Sequence, residues 1–318
     1  MAYSNPEKKD IIESKKFASE GSVTPQIDES IARSLKNRTI LLWFMQLNRE
    51  YSTSKRLLEL ISNLKELHQT AVDGKNISEM CPVRWVTPIS ILPLAVYANN
   101  HAIAINCTEE NSGIQTYLAA ISFQQGTAKL ESSKNFLPIT KLLCNDKENV
   151  LSTYEDLILS KLPEKNRQPS TNSLKLLTSE IVANIREHAR VNNYWILAQY
   201  WNAMRTCEIA MCDTGIGYRE SYRGTPYEVK THLDAISNAL EGKSSKSPVQ
   251  ERGTGIPTIV RMFVEGYGGE VIVLSGDSLL YIHKKESIPY QIGFEWEGSF
   301  VGIRFKLKDT DIMYKYLQ

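Results

Sequence analysis

The sequence lacks the closely spaced cysteine pairs that bind zinc or build a disulfide framework. Its five cysteines include no C-x-x-C pair, and their odd number leaves at least one outside any intramolecular disulfide. Reduced cysteines in a cytosolic protein fit this pattern better than metal binding or disulfides do. The cysteines are Cys81, Cys107, Cys144, Cys207 and Cys212.

An excess of one charge and a long hydrophobic run are also missing. The 37 Lys and Arg residues balance 36 Asp and Glu residues, for a formal charge of +1, which gives no electrostatic case for a generic nucleic-acid binder. The most apolar stretch, Ile89 to Ala98, is about half as long as a membrane-spanning helix. The polar start of the chain, Met1 to Pro6, has no signal-peptide core. We therefore expect a soluble, cytoplasmic protein without a membrane anchor.

The chain does contain enough apolar material for two domains. It has 318 residues, of which 42% are hydrophobic and 23% charged, an ordinary globular composition. Helical spacing over Asn37–Gln69 predicts one long or two shorter helices. Strand and helix patterns alternate as far as Ile121, and the polar run Pro163–Ser170 predicts a domain boundary. The predicted segments are a loosely ordered arm (1–35), a helical segment (36–75), a small α/β domain (76–145), a linker (146–172) and a second α/β domain (173–310).

The second domain begins with a helix, from Leu174 to about Val191, that has two distinct faces. Glu180 and Asn184 are one turn apart and line the face opposite a core-facing apolar stripe. An amide oxygen can bind Mg²⁺, and a carboxylate can orient or activate a water molecule. The next residue on that face is His188. The apolar stripe consists of Leu177, Ile181 and Ile185.

Two glycine-rich turns follow this helix. The first ends the strand Cys207–Asp213 in an Asp-x-Gly-x-Gly pattern formed by Asp213, Gly215 and Gly217. An ionised aspartate only accepts hydrogen bonds, so it can bind the amino group of adenine, and glycines allow a close backbone approach. The second turn, Glu251–Pro257, opens a helix with a glycine pair whose backbone N–H groups can face phosphates. A glycine stop near Gly266 and a strand from Glu270 are predicted next.

In this order, the three elements resemble the GHKL family of ATPases, which includes gyrase B subunits, heat-shock chaperones, MutL and the catalytic domains of histidine kinases. The resemblance covers Leu174 to Leu307 and extends to the last strand, where Gly302 and Ile303 stand in the place of the family's Gly-Thr pair. It implies a Bergerat α/β sandwich, with a mixed sheet covered by helices on one face, that binds ATP and Mg²⁺.

The resemblance also implies a role for each matching position. Glu180 would be the catalytic carboxylate, Asn184 would bind Mg²⁺ through the nucleotide, and Asp213 would bind adenine. Lys243 to Arg252 would form a mobile lid, whose charges either contact phosphate or are simply solvated. His188 either touches the nucleotide or caps the helix face. The residues implied to bind the cofactor are Asn184, His188, Asp213, Gly215, Gly217, Lys243, Arg252, Gly253, Thr254 and Gly255.

The patterns between Val83 and Ile139 are similar to bacterial proteins in which a STAS-like domain precedes a GHKL domain. STAS domains accept phosphoryl groups or dock partners, and Thr87 and Ser90 are the nearest acceptor candidates. Neither has the flanking Asp and Gly of the STAS turn, and Thr87 before Pro88 also suits a helix N-cap. His68 lacks the acidic residue and the proline that follow a histidine-kinase phosphoacceptor.

The sequence leaves three functions open. The first is a slow, Mg²⁺-dependent ATPase whose lid closure switches partner binding or oligomerisation. The second is an anti-sigma-type kinase that phosphorylates a serine on a separate STAS-like partner. The third is a nucleotide-responsive interaction module without turnover. A protein partner of unknown identity is implied in each case, and the helix over Asn37–Gln69 is a candidate homodimer surface.

Overall fold

The computed structural model describes residues 53–79, 86–106, 112–123, 126, 135–144, 149–243, 255–284 and 286–316, which form an α/β fold. The helices are α1 (Thr53–Val72), α2 (Pro88–Asn100), α3 (Ser112–Ala120), α4 (Asn149–Lys161), α5 (Glu164–Asn184), α6 (Gly217–Ser221), α7 (His232–Leu240) and α8 (Gly255–Arg261). The strands are β1 (Ile77–Ser78), β2 (Ala104–Ile105), β3 (Phe136–Leu143), β4 (Asn193–Trp201), β5 (Thr206–Asp213), β6 (Glu270–His283) and β7 (Glu286–Lys306). Single π-helical turns, Ile185–Ala189 and Met262–Gly266, extend α5 and α8.

A five-stranded sheet in the order β3-β4-β5-β7-β6 organises the fold. Each neighbouring pair in this sheet is antiparallel, so the prediction of a mixed sheet is wrong. β1 and β2 form a separate parallel pair of two residues each. In the β5–β7 pair, Asp213 lies opposite Ser299 and Thr206 opposite Lys306, which brings the end of β5 beside the middle of the long β7.

Both faces of this sheet are covered, whereas the sequence predicted helices on one face. Alternate residues of β5, such as Ile209 and Met211, join the core beneath α5. The residues between them point the other way, where α2 packs on β4 and β5, and α1 packs on β7. A strand covered on two sides is buried along its whole length, as β5 is. The same burial extends over seven residues of β4, from Tyr194 to Tyr200.

Helix α1 buries its apolar stripe inside the chain. Leu60, Leu64 and Leu67 are fully buried, so they are not available as the predicted homodimer surface. Residues 37–52 of that predicted helical segment lie outside the described residues. Helix α2 begins as predicted, with Thr87 at the N-cap and Pro88 as the first helical residue.

The described residues of the predicted segments 76–145 and 173–310 lie in a single compact unit, which begins at Thr53. β3, which was assigned to the small first domain, pairs with β4 from Phe136 to Leu143 and is an edge strand of the main sheet. The described residues of the predicted STAS-like segment therefore belong to the same compact unit as the second α/β segment, and the STAS-like fold stays a prediction. The predicted arm (1–35) and the strand residues 83–85 lie outside the described residues.

The described part of the predicted linker, 149–172, consists mainly of α4 and the first turns of α5. Leu162, between the two helices, and Asn166, in α5, are buried. The Asn166 amide donates hydrogen bonds of 2.7 Å to the Lys308 carbonyl and to Asp309. The polar run that predicted a boundary therefore fastens the start of α5 to the chain beyond β7.

The described residues bear on two sequence predictions, that the cysteines are reduced and that the chain has no membrane-spanning helix. Cys144, Cys207 and Cys212 are free and buried, in agreement with reduced cysteines, while the other two cysteines lie outside these residues. In the part of the chain that the structure describes, no helix is both long and apolar enough to span a membrane.

Candidate functional site

A cavity of about 280 Å³ lies between α5, the end of β5 and the start of α8. Its volume is near the lower end of the range of small-molecule pockets, roughly 300–1,000 Å³. Seven predicted site residues line it: Glu180, Asn184, His188, Asp213, Gly217, Lys243 and Gly255. Gly215 lies in the adjoining loop, and three others, Arg252, Gly253 and Thr254, lie outside the described residues.

The helix that carries Glu180 and Asn184 is attached to the loop after β5. Its core stripe is buried as predicted, which turns the polar face toward the cavity. After Asn184 the helix widens into the π-helical turn Ile185–Ala189, a feature frequent at functional sites. The Ala189 carbonyl accepts a hydrogen bond of 3.0 Å from the Ile216 amide. The end of the helix is thereby fixed against the Asp-x-Gly-x-Gly loop.

Asp213 is a buried carboxylate with its own hydrogen-bond donors. It is 1% exposed; the Gly215 amide donates to Oδ1 over 2.8 Å, and the Ser299 hydroxyl donates to Oδ2. Burial raises the pKa of Asp213, and the hydrogen bonds from Ser299 and Gly215 oppose that rise because they stabilise the ionised form. The site therefore holds a hydrogen-bond acceptor in a nearly dry environment.

The loop after Asp213 requires its glycines. A Cβ atom on Gly215 would lie 2.1 Å from the Ala189 carbonyl oxygen, so any side chain would break the contact with the π-helical turn. Gly217 has a φ of +70°, and its added Cβ would lie 2.7 Å from Ser275 Oγ. That hydroxyl accepts from the Tyr218 amide over 3.1 Å. The loop is thus held between α5 and β6.

Lys243 lines the cavity but already has protein partners. Its Nζ donates to Asn238 Oδ1 over 2.8 Å and lies 2.6 Å from Glu241 Oε2. The Tyr222 hydroxyl donates to the Lys243 carbonyl over 2.7 Å. A phosphate contact by Lys243 would require its ammonium to leave these partners.

Three residues that hold Asp213 or the loop after it were not predicted from the sequence: Ser299, Ser275 and Tyr218. The resemblance to the GHKL family predicted that Gly302 and Ile303 take the place of the family's Gly-Thr pair. In the structure, Ile303 is buried in the core and Gly302 faces α2. The Gly-Ser pair that reaches Asp213 is formed by Gly298 and Ser299. A search for a small residue followed by a hydroxyl, upstream in the same strand, would have found it.

The protein oxygen atoms at this cavity suit a metal ion that is held mainly by a bound ligand and only in part by the protein. The described residues contain no group of three or more His, Cys, Asp or Glu side chains arranged to hold a metal ion. Asn184 and Glu180 nevertheless bring amide and carboxylate oxygens to one cavity. Mg²⁺ is commonly bound by one or two protein oxygens together with phosphate and water, so these residues fit it.

Comparison with known proteins does not add to this picture. No family model matches the chain, and a search of curated proteins finds no match.

Proposed function

We propose that this protein binds ATP with Mg²⁺ in the cavity beside Asp213 and hydrolyses it slowly. The observation that carries the proposal is the burial of Asp213, with its two hydrogen-bond donors, in the same cavity as Glu180 and Asn184. An acceptor at the dry end of a cavity and oxygen ligands along its wall suit the two ends of a nucleotide.

The base would bind at the Asp213 end. An ionised carboxylate can accept a hydrogen bond from the amino group of adenine, whereas guanine presents a carbonyl oxygen at the corresponding position. Ile181 and Val301 add apolar surface to the cavity wall, as is usual where a flat base is enclosed. We therefore expect adenine nucleotides to bind in preference to guanine nucleotides.

The phosphates would lie toward Asn184, Glu180 and Gly255. The Asn184 amide oxygen is suited to hold the Mg²⁺ that accompanies ATP and that neutralises charge on the phosphates. The Glu180 carboxylate is suited to orient a water molecule or to take its proton. The predicted lid, 243–252, lies almost entirely outside the described residues, so this proposal is independent of it.

Calorimetric titration of ATP·Mg²⁺ and GTP·Mg²⁺, combined with phosphate-release assays, tests the proposal. The wild type should bind ATP and release phosphate, Asp213→Asn should bind ATP about 10- to 100-fold more weakly, and Glu180→Gln should bind ATP but release phosphate much more slowly. Asp156→Asn, an exposed aspartate on α4, and Glu164→Gln, in the first turn of α5, are the matched controls. Equal binding of ATP by the wild type and Asp213→Asn would overturn the proposal.

The same titrations separate the other two functions. Tight binding without phosphate release by the wild type would identify a nucleotide-responsive module. Transfer of the γ-phosphoryl group of ATP to a serine of an added STAS-like protein, without release of free phosphate, would identify a kinase. Thr87 and Ser90 are poor acceptors within this chain, because each is 3% exposed and Ser90 Oγ already accepts from the Thr87 amide.

A further inference from the structure

Gly255 begins α8 directly against the Glu180 side chain. A Cβ atom built on Gly255 would lie 2.0 Å from Glu180 Oε2 and 2.8 Å from its Cδ. Its φ angle is outside the left-handed region, so conformational freedom does not explain why a glycine is needed here. What the glycine provides is the space that the carboxylate occupies.

We propose that Gly255 is a positioning residue for the Glu180 carboxylate, in addition to any contact that its backbone makes with phosphate. This inference rests on the proposed ATPase function. Both residues line the cavity, so the position of the carboxylate relative to a bound nucleotide depends on the missing side chain at 255. A displacement of about 1 Å at a reacting group can lower a rate about 100-fold.

The crowding at Gly255 differs from that at the glycines of the Asp213 loop. A side chain on Gly215 would meet a backbone carbonyl, which cannot move without moving the helix. A side chain on Gly255 would meet the far end of the flexible Glu180 side chain, which can move by rotation about its own side-chain bonds. We therefore expect Gly255→Ala to fold and to bind nucleotide, but with its carboxylate displaced.

Steady-state turnover and ATP titration on four proteins test this inference: wild type, Gly255→Ala, Glu180→Gln and the double variant. Gly255→Ala should lower kcat about 10- to 100-fold while changing the Kd for ATP less than about threefold, which is under 1 kcal/mol. In the Glu180→Gln background the same substitution should lower kcat no further, since both changes act on one carboxylate.

Gly266→Ala is the matched control. Gly266 ends the same helical segment, and an added Cβ would crowd Ile312 and Tyr316, which do not line the cavity. Its kcat should match the wild type. If Gly255→Ala instead lowers stability, Glu180→Ala should restore it, because the crowded carboxylate is then gone.

Several outcomes would overturn the positioning role. They are an unchanged kcat for Gly255→Ala, an equal loss of kcat and ATP affinity, an additive loss in the Glu180→Gln background, and a destabilised variant that Glu180→Ala does not restore. A wild type that binds ATP without releasing phosphate overturns this role and leaves nucleotide binding intact. A wild type that binds no ATP overturns the proposed function itself.

Discussion

Asp213 and Ser299 face each other across the β5–β7 pair, and the Ser299 hydroxyl donates to the Asp213 carboxylate. Burial raises the pKa of Asp213, and the hydrogen bond from Ser299 opposes that rise because it favours the ionised form. The adjacent Gly298 lets the two strands approach, since a Cβ at that position would lie 2.1 Å from the Asp213 carbonyl oxygen. The ionised form that the proposed ATP binding requires is therefore the form that burial disfavours. Binding and folding stability are in conflict at this carboxylate.

That conflict predicts an unusual phenotype for Asp213→Asn. The substitution removes a buried charge but keeps an amide oxygen for the Gly215 N–H, so the free energy of unfolding at pH 7 should equal or exceed that of the wild type. ATP affinity should fall about 10- to 100-fold, the value of a hydrogen bond to a charged group. Chemical denaturation and calorimetry measure the two effects. A variant that loses stability in proportion to affinity would contradict this account.

Ser299→Ala should change the pH dependence of nucleotide binding. The proposed binding of adenine requires ionised Asp213, so we expect the affinity for ATP to fall as the pH drops through the raised pKa of this carboxylate. Loss of the serine hydroxyl raises that pKa further, which moves the acidic limb to higher pH. Titrations of ATP from about pH 4, near the ordinary pKa of an aspartate, up to neutral pH provide the measurement. An identical pH profile for the two proteins would count against the role of Ser299.

The contribution of Asp213 to folding stability changes with pH in the opposite direction to its expected contribution to ATP affinity. Its folded pKa lies above the unfolded value, near 3.9, so its contribution to the free energy of unfolding is fully present below that value. The contribution is lost as the pH rises through the folded pKa. Acidification should therefore weaken ATP binding while this carboxylate alone favours folding, which denaturation of the wild type and Asp213→Asn across pH can separate.

Removal of Arg304 should destabilise the layer between the sheet and α2. Arg304 Nε lies 3.6 Å from Oε1 of Glu208, which is 1% exposed and whose pKa is raised by burial and lowered in part by Arg304 and Arg56. Arg304→Met leaves a poorly compensated buried charge, at a cost of about 3 kcal/mol. Adding Glu208→Gln should recover most of that loss. Equal melting of the single and double variants would argue against the pair.

Gly298→Ala should cost more than Gly268→Ala, although both glycines have positive φ angles of +91° and +62°. Gly268 has open space around it, so its substitution should cost only about 1 kcal/mol of backbone strain. Gly298→Ala adds a clash with the Asp213 backbone, for a total of about 3 kcal/mol, and should also weaken ATP binding. Denaturant midpoints of the two variants rank the costs.

Local patterns predicted the elements around the cavity well. The stripe through Leu177, Ile181 and Ile185 fixed which side of α5 is buried, and hence the direction of Glu180 and Asn184. The Asp-x-Gly-x-Gly turn also lies where its strand pattern indicated. These features depend on residues close together in sequence, where periodicity and turn chemistry carry most of the information.

Pairing and layering were not predictable in the same way. β3 pairs with β4 at sequence separations of 50 residues, for Leu143 and Asn193, up to 63, for Phe136 and Gln199, and nothing local to β3 indicates that partner. The apolar run of β4 from Tyr194 to Ala198 is typical of a strand that is buried on two sides, but a covered second face was not predicted from the sequence. Ser299 was not predicted because its place opposite Asp213 follows from the register between β5 and β7, which the motifs of the last strand do not indicate.

The cover on the second sheet face limits how this protein can be divided. A fragment starting at residue 173 would lose β3 and the helices α1 and α2, and so would expose Leu197, Phe300 and the carboxylate of Glu208 to water. Such a fragment should aggregate, because one side of its sheet would present a broad apolar surface. The cavity beside Asp213 therefore cannot be transferred as residues 173–310 alone, and recombination that moved it between proteins would have to carry the preceding helices with it.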